Sequence, residues 1–148
     1  MLTELQIGYL AGILDGEGGI SIAKNIRKDG TRKRDYALTA RVGVTQRRRI
    51  LLSTILDWIG RENGHIGRTG LENKFFLLRF KADWLRKNLP FILPHLILKR
   101  RQAEIVITFL NFPRCVGRHG VGDENWLIRN KLRDECVALN MDRTNALR

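Results

Sequence analysis

The sequence predicts an α+β fold: helix–strand–strand–helix–strand–strand–helix, with further helices at the C-terminus and a mixed or antiparallel sheet. Three observations point there. Residues 4–16 are apolar nearly all round a helical wheel. Residues 19–27 and 36–46 alternate with the two-residue period of a strand. The order strand–strand–helix then recurs after the first helix, as a structural repeat without a sequence repeat.

The first helix is expected over about Glu4 to Gly16. Thr3 and Gln6 have capping-box spacing at its start. Leu5, Ile7, Tyr9, Leu10, Ile13 and Leu14 leave no broad wet face, so the helix is expected to be buried. Gly8, Gly12 and Gly16 recur every fourth residue and bare one side of the backbone. Each costs roughly 1 kcal/mol against alanine. Close approach of another helix would offset that cost. Asp15 and Glu17 stand at the C-terminal end, where the helix dipole disfavours anions. Two such helices pairing through their glycines would bring two copies of Glu17 together. Like carboxylates repel unless a cation or proton sits among them. A hard divalent ion answers this, and magnesium held through few carboxylates typically serves phosphate chemistry.

Gly19 to Arg27 reads as a strand, with Ile20, Ile22 and Ile26 on one face and Ser21, Ala23, Asn25 and Arg27 on the other. Asp29-Gly30 is a turn signal in a basic connection. Tyr36 to Gln46 returns, with Tyr36, Leu38, Ala40, Val42 and Val44 opposite Ala37, Thr39, Arg41, Gly43 and Thr45. The second face is small and polar with a few cations. It suits a ribbon in the major groove of DNA, or an ordinary solvated surface; the basic turn beside it favours the groove.

Arg48 to Ile59 reads as a helix that Gly60 ends. Gly64 to Thr69 and Lys74 to Lys81 form a second hairpin across Thr69-Gly70, and the facing of its second strand is ambiguous because residues 75–78 are all apolar. Ala82 to Leu89 is a short helix stopping before Pro90. Pro94 fits the first turn of a helix running to Asn111, crossed by the cationic band Lys99-Arg100-Arg101. Asp123 caps a last helix to about Leu139, with Trp126, Leu127, Leu132, Val137 and Leu139 for packing. Met141 to Arg148 is expected to be a loose tail.

One domain, residues 1–148 with a C-terminal helical extension from about 113, is the expectation for this length. Such a chain buries about two thirds of its unfolded surface, so it needs neither disulfide nor metal to hold a core. The net charge of +12 implies a polyanionic partner. Cys115 and Cys136 lack CxxC spacing and read as reduced thiols. His65, His95 and His119 form no zinc pattern. No apolar run spans a membrane, and no basic n-region or transit segment precedes the first helix. The expectation is an intracellular protein of a bacterial cytoplasm or an organelle, with no membrane contact and no small-molecule cofactor.

Leu10-Ala11-Gly12-Ile13-Leu14-Asp15-Gly16-Glu17-Gly18 resembles the motif that names the LAGLIDADG homing endonucleases, with Glu17 where the family usually has its second aspartate. Val44-Thr45-Gln46 and Leu96 to Ala103, at their distances from the motif, resemble single-motif members, and the likeness covers about Leu2 to Asn111. The resemblance implies a saddle-shaped fold and a homodimer contacting through Gly8, Gly12, Asp15 and Gly16. It implies metal-dependent breakage of both strands at a long, nearly palindromic site on double-stranded DNA, as in intron homing. Mg²⁺ is the implied ion, with Mn²⁺ as a substitute.

Residue by residue, it implies that Glu17 and its dimer mate bind the metals, helped by the carbonyl of Gly16. Gln46 matches a residue that positions water, and Lys99 one that stabilises developing charge near the phosphate. Asp15 is expected to serve the helix end and the dimer contact. The family's sheet face carries over to Ser21, Ala23, Asn25, Arg27, Thr39 and Arg41, and further to His65, Thr69, Lys74 and Phe76. Arg27, Asn25 and Arg41 suit bidentate base contacts. Lys28, Arg32, Lys33 and Arg34 suit phosphate, and Arg47, Arg48 and Arg49 either phosphate or solvent. The alternatives are a non-cutting nucleic-acid binder on the same fold, as an RNA maturase or transcription regulator, and a ribosomal or chromatin-type basic protein. The last explains the charge but not the glycines.

Overall fold

The computed structural model describes residues 1–26, 36–112 and 122–146. Helix α1 is Glu4–Glu17, and strands β1 (Gly18–Ile26) and β2 (Tyr36–Gln46) follow it, then helix α2 (Arg49–Ile59). Strands β3 (Gly64–Thr69) and β4 (Phe75–Phe80) lead into α3 (Ala82–Ile92), α4 (Arg100–Asn111) and α5 (Asp123–Ala146). The four strands form one sheet in the order β1-β2-β4-β3, antiparallel at every pairing. The helix–strand–strand–helix–strand–strand–helix order is therefore present.

Alternation sets what each face of the sheet does. Ile20, Ile22, Leu38, Val42, Val44, Leu78 and Phe80 are buried against the helices. Leu10, Leu14, Leu52, Ile55, Leu85, Leu89, Ile105 and Val106 meet them from α1 to α4. Ile26 follows the inward period but is exposed at the far end of β1. Gly43 sits where β2 and β4 come together: a Cβ there would stand 2.5 Å from the carbonyl oxygen of Leu78. Such a contact admits only glycine without a backbone shift.

Helix α1 starts with the expected capping box: Gln6 N–H donates to Thr3 Oγ1, and Thr3 N–H to Gln6 Oε1. Its burial is not as expected. Leu10, Ala11 and Leu14 are buried, but Leu5, Gly8, Tyr9, Gly12, Gly16 and Glu17 are exposed within the single chain. A Cβ at Gly8, Gly12 or Gly16 would meet nothing within 4 Å. The all-round apolar pattern thus reports one face against the sheet and one face bare.

Three helix boundaries also differ from the sequence reading. Pro90 lies inside α3, which runs on to Ile92 because Leu89 and Ile92 both bury on the core side and offset the missing amide. Pro94 opens only a short 3₁₀ turn, Leu93–His95, and α4 starts later, at Arg100. The amides of Ile97, Leu98 and Lys99 are held by the Asp15 carboxylate, which keeps this segment out of the helix and leaves Ile97 exposed. Helix α5 continues past Leu139 to Ala146, since no glycine or proline stops it; Leu127, expected to pack, is exposed. Cys136 Sγ and Asn140 Nδ2 donate to the Ile20 carbonyl, so α5 covers the free edge of β1. Burial pushes the Cys136 thiol up from its ordinary value.

Candidate functional site

Two features meet at the C-terminal end of α1. The first is a reciprocal lock. The Asp15 carboxylate accepts backbone N–H bonds from Ile97 (2.7 Å), Leu98 (3.2 Å) and Lys99 (2.9 Å), the three residues that lead into α4. In return, Lys99 Nζ donates to the carbonyls of Leu14 (2.6 Å), Asp15 (2.9 Å) and Gly18 (2.6 Å). A carboxylate sits at the positive end of one helix and an ammonium at the negative end of the other, the favourable sense for both dipoles. This resolves the oddity of an aspartate at a helix C-terminus: its side chain serves another helix. It also relocates Lys99, whose ammonium faces α1 carbonyls where a phosphate contact was expected.

The second feature is Glu17, the last residue of α1, which is exposed. Among the described residues no hydrogen bond or ion pair engages its carboxylate. The three carbonyls that Lys99 Nζ meets are those of Leu14, Asp15 and Gly18, on either side of Gly16 and Glu17. The last β1–β2 pair is Gly18 with Val44, so Thr45 and Gln46 run past the start of β1, at the end of the sheet where α1 arrives. Gln46 is half-buried and shares the side of Val42 and Val44.

The outer face of the sheet carries Ser21, Ala23 and Asn25 from β1 and Thr39, Arg41 and Thr45 from β2. The register adds His65, Gly67 and Thr69 from β3 and Leu77 and Arg79 from β4, because Gly43 pairs with Arg79 and His65 with Arg79. Thr39, Arg41, His65 and Arg79 are exposed. Leu77 and Arg79 went unnoticed in the sequence because four consecutive apolar residues hide the facing of β4; the burial of Leu78 and Phe80 decides it. The same alternation corrects Phe76, which faces the core side and packs against it, with the Arg68 guanidinium 5.1 Å from its ring centroid. Lys74 is likewise off the face. It sits in the turn before β4, where the left-handed residues Glu72 and Asn73 reverse the chain, and pairs with Glu72 in solvent. Arg27, Lys28, Arg32, Lys33 and Arg34 lie outside the described residues.

No family model and no curated protein matches the sequence. Solved structures do match. The homing endonuclease I-CvuI, in complex with the I-CreI target in the presence of Mg, superposes with a TM-score of 0.74 at 22% identity, over 92% of this chain and 82% of that one. The archaeal intron-encoded homing endonuclease I-Vdi141I, complexed with DNA, gives 0.72 at 19% identity, over 92% and 84%. The LAGLIDADG meganuclease I-AabMI, bound to uncleaved DNA, gives 0.67 at 15% identity over 86% of this chain and 45% of that one. This chain has the LAGLIDADG endonuclease fold. The LAGLIDADG-like stretch from Leu10 to Gly18 is the C-terminal part of α1 and its turn into β1, with Glu17 ending the helix and Asp15 holding the residues that lead into α4. No helix among the described residues is long and apolar enough to cross a membrane.

Proposed function

We propose that the chain is a site-specific DNA endonuclease, acting as a homodimer on a long, nearly palindromic duplex and breaking both strands with divalent metal. The observation that carries this is the exposed, unengaged Glu17 carboxylate, set at the end of a bare glycine ridge and beside a polar, cationic sheet face.

The ridge supports pairing. Gly8, Gly12 and Gly16 line one side of α1 with open space for a Cβ among the described residues, and Leu5 and Tyr9 are exposed on the same helix. Ile97 and Leu98, pinned beside its end by Asp15, add two more exposed apolar side chains. A second copy docked here by two-fold symmetry covers all of them at once. It also brings the two Glu17 side chains to the axis.

Among the described residues no three His, Cys, Asp or Glu side chains gather into a ligand set. The donor chemistry nevertheless fits Mg²⁺ or Mn²⁺. Among the described residues Glu17 offers hard oxygens with no competing partner, the Gly16 carbonyl is a further oxygen beside it, and a twin copy would double both. Such an ion, when bound, acidifies water and neutralises the leaving oxygen. Glu17 would hold such an ion and Gln46, at the sheet end, would orient a water, while Lys99 fixes the backbone from which Glu17 projects. Ser21, Asn25, Thr39, Arg41, His65 and Thr69 face the groove, and Arg79 joins them. Cations including Arg47, Arg48 and Arg49, which are exposed at the end of β2, bind phosphate. Cutting of this kind suits an intron-borne mobile element, and a bacterial cytoplasm or an organelle is the fitting compartment.

The test is a plasmid carrying a target selected from random duplexes. Linear product with magnesium and none with chelator supports cutting. Tight, selective binding without strand breaks under any divalent ion would favour the non-cutting binder. Affinity should fall about 10³- to 10⁵-fold from 50 to 200 mM salt if six to ten phosphates are contacted.

A further inference from the structure

On the outer face one cation is held and another is not. Arg41 Nη2 donates to Asn25 Oδ1, and Asn25 Nδ2 donates to Thr39 Oγ1 at 2.8 Å. The register explains the reach. Thr39 pairs with Ala23, between the Ser21–Arg41 and Asn25–Ala37 pairs. The small Ala23 lets the long Arg41 side chain lie along the ribbon toward Asn25. Arg79 shares the face but makes no such bond among the described residues.

The geometry points to a division of labour within the recognition ribbon, which rests on the proposal that this face reads duplex DNA. Arg41 is the base reader, and Asn25 and Thr39 are positioning residues that aim it. Asn25 has its carbonyl oxygen and its amide nitrogen engaged within the protein, so it is ill placed to read adenine through the bidentate pair that free asparagine makes. Arg41 has five N–H donors, and its bond to Asn25 leaves a fork for the O6 and N7 of guanine. A guanidinium tied back to the sheet centre is pre-oriented for a base edge. The strand rise places this contact. From Gly18 to Asn25, β1 advances about 23 Å, which corresponds to roughly six to eight base pairs outward from the Glu17 end of each half-site.

The experiment is selection of duplexes from a fully random library by the full-length chain, followed by sequencing, with circular dichroism to check that each variant folds. The wild type should demand guanine at one position of each half-site, by on the order of 10- to 100-fold over other bases. Arg41→Ala should flatten that position alone. Asn25→Ala should weaken preference at the same position, and Asn25→Asp, which keeps an acceptor for the guanidinium, should restore it. A uniform loss of affinity in Arg41→Ala, with the base preferences unchanged, would make Arg41 a phosphate contact and overturn the assignment. A preference lost at a different position in Asn25→Ala would make Asn25 a reader in its own right and equally overturn it. If the wild type selects no sequence at all, the underlying DNA-reading proposal fails first, and that failure is told apart because no variant is needed to see it.

Discussion

The end and the side of α1 are built on opposite plans. At the end, Lys99 holds three carbonyls and Asp15 holds three amides, so two helix termini are satisfied from within one subunit. Along the side, a Cβ added at any of three glycines would meet nothing within 4 Å among the described residues. The end is therefore finished without a partner, and the side is not. Stability of the subunit and its assembly should be separable by mutation, although both depend on the same short helix.

The largest effect should come from breaking the finished end. Asp15→Ala leaves the amides of Ile97, Leu98 and Lys99, just before α4, without their carboxylate, and should cost about 2–4 kcal/mol, or roughly 10 °C in Tm by thermal unfolding. Lys99→Met should cost a similar amount, and the double variant less than both together, because each single change already disrupts the shared lock. Additive losses would mean that the two caps work independently.

Next come two glycines that only look alike. A Cβ at Gly18 would lie 2.7 Å from the Leu14 backbone, so Gly18→Ala should cost about 1–3 kcal/mol in urea unfolding. Gly12→Leu should leave the monomer as stable as before or up to about 1 kcal/mol more so. Its self-association, followed by sedimentation, should nevertheless fall at least about tenfold if the ridge is the docking surface. A Gly12→Leu variant that still self-associates would place the dimer contact elsewhere.

The smallest effect is alkaline. The Cys136 thiol stays neutral in the fold, because burial raises its pKa. Its contribution is intact below the ordinary thiol value of about 8.5 and erodes above it, as the unfolded chain ionises first. Cys136→Ala should lose less stability than the wild type between about pH 8.5 and 10.

The same contrast marks what the sequence could and could not show. The capping box, the glycine period and the inward residues of β1 and β2 are local patterns and, Ile26 apart, they are present as read. The start of α4 is hidden because the residues before it are held by Asp15, far away in the chain, and no local signal announces a carboxylate supplied from another helix. Pro90 was read as a stop because its ring rules speak of the backbone alone, whereas burial of Leu89 and Ile92 decides the matter. Phe76 and Arg79 were misplaced or missed because a run of four apolar residues carries no period. For the site, the motif marked Glu17 and Asp15, but not that Lys99 would turn toward carbonyls, which depends on where α4 docks.

The central claim is that two copies share their acids, and a subunit-mixing assay tests it most directly. Wild type and Glu17→Gln are exchanged at equal concentrations, and strand breaks on the selected target are counted with magnesium present. With random pairing, shared acids leave only wild-type pairs active, so total breaks should fall to about one quarter. Breaks falling only to about one half would show each chain cutting with its own acid and would contradict the account.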